Sequence, residues 1–182
     1  VEPGQEIPLK GGRFLVPFRT RHVVPSVGYR VIERVDKLLD ELQGLPGPEI
    51  ARRRKEGEAV TRSVDHHLLA VTGDTLPEIL DDGLDLMSHR VVIHECTFLN
   101  TDKPYDACRE GGHTHLDDLL SRADALTCEH LVLSHFSQIH RWKDIPTHLS
   151  TLAERISAKV YAFPMDPAHE IVGPLVGERS AP

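Results

Sequence analysis

Apolar residues fall in short runs separated by polar, glycine- and proline-containing stretches, and the period of each run predicts an element. Residues 14–18 read as a strand, and residues 27–32 alternate apolar and polar in the manner of a half-buried strand. The segment 36–57 has helical character but is broken by Gly44-Leu45-Pro46-Gly47-Pro48; its second part, 48–55, carries Pro at a favourable helix start and Gly57 just past its end. Residues 59–75 supply strand material closing on Gly73-Asp74-Thr75, followed by a short helix or turn over 76–87. A buried strand is expected at 90–93, ending in His94-Glu95, then a polar loop from 99 to 112. Apolar positions 116, 119, 120, 123 and 126 keep a helical period, with Thr114 and Asp117 as a loose capping pair. The apolar run 131–133 ends abruptly in Ser134-His135; a helix over 145–158 and a strand over 159–163 complete the pattern. Strands alternating with helices predict an α/β layered architecture: a domain over 1–165, with the Pro- and Gly-rich remainder, 166–182, as a tail.

The chain's 182 residues are enough for one domain with a substantial core. No run of about 18 apolar residues predicts a transmembrane span, and the first residues lack the regions of a signal peptide. The missing initiator Met fits a processed chain or a fragment. Three cysteines cannot all pair and have no CxxC spacing, so a reducing, cytoplasmic setting is expected. A formal net charge of −7 excludes a uniformly basic nucleic-acid binder, although a metal or a local patch can offset it for an RNA substrate.

The chemistry sits at strand ends. His22, Asp74, the pair His94-Glu95 and His135 all follow apolar runs, and His113 lies in the loop "GGHTH". In open α/β sheets, functional groups gather beyond the carboxyl ends of strands. One such histidine has a bland account, a ring capped by a carbonyl; several strand ends releasing His, Asp and Glu point instead to a metal, since imidazole and carboxylate are the ligands of catalytic zinc. A carboxylate shared between two metals about 3.5–4 Å apart is one way to build a phosphodiester-cleaving site. The remaining polar clusters take structural readings: His66 and His67 as a polar turn, His89 as a surface-loop residue, His130, His148 and His169 as surface or helical residues, and Arg52-Arg53-Arg54-Lys55 as a solvated helix face. His115 and His140 lie near the site in sequence; Trp142 and Tyr29 read as packing residues.

The segments "RHVVPSVGYRV", "GDT", "HECTF", "GGHTHLDDL" and "LVLSHFS" stand in an order that resembles the ribonuclease Z family over residues 13–163. The spacing Lys37 to Ile50, "KL..E..GL.G.EI", is similar to the short plant- and bacterial-type members. The resemblance implies a metallo-β-lactamase fold, an αββα sandwich, and zinc-dependent cleavage of precursor tRNA at its 3′ end by an enzyme often found as a homodimer. It also implies roles: His22, Asp74 and His135 as metal ligands, with Asp74 bridging two zinc ions, and His113 with Glu95 as the catalytic pair beside them. The family's HxHxDH motif does not occur in this sequence, and Ile139-His140 stand where Arg-Tyr is usual. The resemblance therefore implies the C-terminal half of the sandwich, incomplete for catalysis by itself. Three other readings compete: a hydrolase of another phosphodiester or small ester on the same fold; a non-catalytic half-domain that needs a partner; and a structural protein using the fold without metal, against which the crowding of His, Asp and Glu at strand ends speaks.

Overall fold

The computed structural model describes residues 1–163; the expected tail and His169 lie outside the described residues. Seven strands form one sheet in sequential order: β1 (Ile7–Pro8), β2 (Arg13–Arg19), β3 (Val27–Leu38), β4 (Thr61–Val71), β5 (Val91–Glu95), β6 (His130–Ser134) and β7 (Lys159–Ala162). The first four pair antiparallel; from β4 onward the pairing is parallel. Four α-helices accompany them: α1 (Gly47–Lys55), α2 (Tyr105–Glu110), α3 (Leu116–Ser121) and α4 (Ile145–Arg155).

The parallel half explains the abrupt apolar runs. Ala70, Val92, Leu131 and Val160 are register partners across β4 to β7, and all are fully or almost fully buried. They face a core completed by Leu119 of α3 and by Ile145, Leu149 and Leu152, one stripe of α4 at the spacing a helix needs. The alternate row, Val71, Ile93, Val132 and Tyr161, is apolar too but only half-buried.

Several expectations are corrected. Lys37 and Leu38, read as helical, pair with Arg62 and Thr61 as the outer end of β3, and only Asp40–Leu42 makes a short 3-10 turn before α1. Cross-strand pairing overrode helix propensity there. The polar loop 99–112 contains α2, and the helix expected over 114–127 stops at Ser121 before a 3-10 turn. His66 and His67 lie inside β4, paired with Glu33 and Ile32, and are not a turn. His89 is almost fully buried, with its ring edge against His67, and is not a surface residue.

Candidate metal centre

The strand ends β4, β5 and β6 release their polar residues on one edge of the sheet. Asp74 follows β4 through Gly73, whose φ of 64° favours glycine. Glu95 is the last residue of β5, and His135 directly follows β6. His135 itself has a φ of 61°, a left-handed conformation costly for a residue with a side chain and typical of functional sites. The loop before α3 adds His113, and the loop between β2 and β3 adds His22.

These side chains meet. Donor atoms of Asp74, His113 and His135 lie within 4.8 Å of one another. His135 Nε2 is 3.4 Å from Asp74 Oδ1, and the His113 and His135 rings stack with centroids 5.3 Å apart. The His22 ring lies 5.2 Å from that of His113. The His135 and Asp74 side chains are 45% and 39% exposed, so the cluster opens to solvent and a substrate can reach it.

Hydrogen bonds on the far side of the rings hold them in place, and those to a carbonyl or carboxylate fix the tautomer. His22 Nδ1 donates to the Gly112 carbonyl at 3.0 Å, and His113 Nδ1 donates to Glu95 Oε1 at 3.0 Å. His135 Nδ1 is 2.9 Å from Thr97 Oγ1. In the neutral His22 and His113 rings this leaves Nε2 as the free lone pair, the arrangement metal-binding histidines need. Glu95 is the anchor. It is 1% exposed and accepts four bonds: from the Thr75 N–H at 2.7 Å, Thr97 Oγ1 at 2.6 Å, His113 Nδ1 at 3.0 Å and the Thr114 N–H at 3.2 Å. Burial by itself would raise the Glu95 pKa, but the bonds from His113, Thr97 and the Thr75 N–H outweigh it and hold the carboxyl below its ordinary value. The bond to Glu95 in turn raises the His113 pKa, against the opposing effect of burial.

The loops are tied to one another. The Arg21 N–H donates to Thr75 Oγ1 at 3.0 Å, Thr20 Oγ1 to the Asp74 carbonyl at 3.2 Å, and Thr114 Oγ1 to the Thr75 carbonyl at 2.8 Å. Two imidazoles and a carboxylate converging fit a divalent cation of the zinc type. Asp74 and His135 would hold such an ion, with His113 beside them and His22 one ring further out. The thiols are not candidates: all three cysteines are buried, and burial pushes Cys108 up to about 12 and Cys128 up to about 11.

All five residues expected from the sequence, His22, Asp74, Glu95, His113 and His135, thus lie in one neighbourhood. His115 does not join them: its Nδ1 accepts from the Asp117 N–H and its Nε2 donates to the Asn100 carbonyl, so it caps α3 in a reciprocal box with Asp118. His140 Nε2 accepts from the Leu99 N–H. Arg52 and Arg53 are engaged by Glu49, Glu56 and Glu58, as a solvated helix face would be. Sequence reasoning missed Thr97 and Gly112; the only signal for Thr97 was its place two residues after Glu95.

No protein-family model matches the chain. A chloroplastic tRNase Z of Arabidopsis thaliana is 30% identical over 159 residues, covering 86% of this chain and 45% of the relative. A second tRNase Z of the same plant is 30% identical over 162 residues, covering 88% and 58%. A ribonuclease Z of Macrococcus caseolyticus is 27% identical over 161 residues, covering 78% and 51%. The chain thus spans about half the length of the curated relatives it matches. Among solved structures, a metallo-β-lactamase-fold protein of Bacillus subtilis matches with a TM-score of 0.52 at 14% identity, over 90% of this chain and 51% of that one, which establishes the fold.

Proposed function

We propose that this chain, a relative of the ribonuclease Z proteins on a metallo-β-lactamase fold, is the metal-bearing C-terminal part of a zinc-dependent endoribonuclease that cuts precursor tRNA at its 3′ end. The observation that carries this reading is the meeting of Asp74, His113 and His135, from three separate loops, within 4.8 Å at a solvent-open edge. The relatives' names supply the substrate class. The half-buried row Val71, Ile93, Val132 and Tyr161 is the face against which the other layer of an αββα sandwich packs.

His22, Asp74 and His135 hold metal in this reading. Zinc bound there supplies positive charge against the phosphate and eases deprotonation of the attacking water. His113, anchored through Nδ1 by Glu95, presents Nε2 beside Asp74 and His135. In its protonated form, which the raised pKa favours, it can from there hold a phosphate oxygen or deliver the Nε2 proton to the leaving oxygen, a contribution worth about 10²–10⁴-fold in rate. The opposite electrostatics of an acidic chain and an RNA are offset locally by the metal. Three buried, unpaired thiols fit a reducing, cytoplasmic setting. Homodimer assembly rests on the resemblance and is read by sedimentation.

The test runs the complete polypeptide on a precursor tRNA and on a small chromogenic phosphodiester in parallel. The reading predicts one cut position on the RNA, lost in Asp74→Ala and His135→Ala together with bound zinc. It also predicts that His113→Ala loses about 10²–10⁴-fold in rate. Turnover of the small diester without site-selective RNA cleavage would favour a hydrolase of another substrate on this fold.

A further inference from the structure

We propose that Thr97 is a positioning residue: its hydroxyl, placed between the Glu95 carboxylate and His135 Nδ1, decides which nitrogen of His135 carries the proton and so aims Nε2 at Asp74. The inference rests on the reading of His135 as a metal ligand.

The argument is one of donor counting. A hydroxyl has a single hydrogen. That of Thr97 points to Glu95 Oε2 at 2.6 Å, and Glu95, an ionised carboxylate, can only accept. Toward His135 Nδ1, at 2.9 Å, the Thr97 oxygen therefore has only lone pairs to offer. His135 Nδ1 must supply the proton, which leaves Nε2 bare and 3.4 Å from Asp74 Oδ1. Two acceptor atoms that close repel unless a cation or a proton lies between them. The hydroxyl thus converts the charge of Glu95 into a fixed tautomer one residue further on.

Thr97 is itself held rigidly enough for this task. Its side chain is buried, its N–H donates to the Thr114 carbonyl at 3.0 Å, and its carbonyl accepts from the Ser137 N–H at 2.8 Å. The last of these bonds also braces the loop in which His135 adopts its left-handed backbone. One carboxylate consequently serves two imidazoles by different routes. Glu95 Oε1 reaches His113 directly, while Glu95 Oε2 reaches His135 through Thr97. Removing the Thr97 hydroxyl should therefore disturb His135 and leave the Nδ1 proton of His113 in place, a selectivity that a general loss of packing would not produce.

The experiment compares wild type with Thr97→Val, which keeps the shape and drops the hydroxyl, and Thr97→Ser, which keeps the hydroxyl. Imidazole ¹⁵N–¹H correlations of the metal-free chain, at a pH above the histidine range, read the tautomer of each ring. Competition with a chromophoric chelator reads zinc affinity. We expect His135 as the Nδ1–H tautomer in wild type and Thr97→Ser, a mixed tautomer in Thr97→Val, and His113 unchanged in all three. Zinc affinity should fall about 10–100-fold in Thr97→Val, the usual effect of losing an outer hydrogen-bond partner, and recover in Thr97→Ser. An Nε2–H tautomer of His135 in wild type overturns the proposal without any variant, so it survives as a test even if Thr97→Val does not fold. An unchanged His135 tautomer, or unchanged zinc affinity, in a folded Thr97→Val overturns it as well. If wild type binds no zinc while the tautomers behave as described, the positioning role stands and the metal reading of the site fails.

Discussion

Gly112 shows how much of the site depends on what a residue lacks. Its φ is 79°, and a Cβ added there would come within 2.4 Å of His22 Nδ1 and 2.9 Å of the Val23 nitrogen. The same residue's carbonyl receives the His22 proton. Gly112→Ala therefore combines backbone strain with a collision against a proposed ligand. We expect a stability loss of about 1–3 kcal/mol in denaturant unfolding, with the His22 ring resonances shifted. Unchanged stability and unshifted His22 resonances would mean that the close approach is not real. At this scale the sequence was legible where residue type is scarce. His22, Asp74, Glu95, His113 and His135 declared themselves as chelating or titratable groups after apolar runs. Thr97 did not, because a threonine between a cysteine and a phenylalanine carries no chemical signature until its neighbours are known. His89 was misread for a related reason: its burial comes from packing against His67 and the chain around Leu86, contacts that local polarity does not report.

Among the elements, β5 joins core and site. Val92 and His94 point into the core, and Glu95 turns the end of the strand into the anchor of the cluster. His94 is fully buried, its Nδ1 donating to the Glu95 carbonyl at 2.6 Å and its Nε2 without a hydrogen-bond partner. Desolvation lowers its pKa, as it does that of His89 at the other end of the sheet, the bond to a carbonyl opposing it in each case. Both rings stay neutral in the fold while the unfolded chain takes up protons near its ordinary value of about 6.5. Below that value the unfolded state binds more protons, so stability falls with falling pH by up to about 1.4 kcal/mol per unit per group, until each folded pKa is reached. Urea unfolding at successively lower pH should show this decline, and His89→Asn, which retains a donor for the Leu86 carbonyl, should make it shallower. An identical slope in the variant would remove His89 from the account. The elements most legible beforehand were those of the parallel half, because a strand covered by helices must be an apolar run. Residues 36–38 belong to a strand although their pattern serves a helix locally, because the pairing with β4 decides otherwise.

Over the whole molecule, a sequential seven-stranded sheet collects three loops at one edge and leaves one of its faces half-covered. The order of motifs along the chain made this fold legible, since the chemistry-bearing residues follow successive strands. Which donors come nearest one another was not legible: His113, expected to act beside the metal, has its ring nitrogen within the Asp74–His135 group, whereas His22 stands one ring further out. The most direct measurement of the central claim is X-ray absorption at the zinc edge of the zinc-loaded chain and of His135→Ala. The account predicts a shell of nitrogen and oxygen only, at about 2.0–2.2 Å, with imidazole scattering that weakens in the variant. A sulfur shell at about 2.3 Å, or a spectrum untouched by loss of His135, would contradict it.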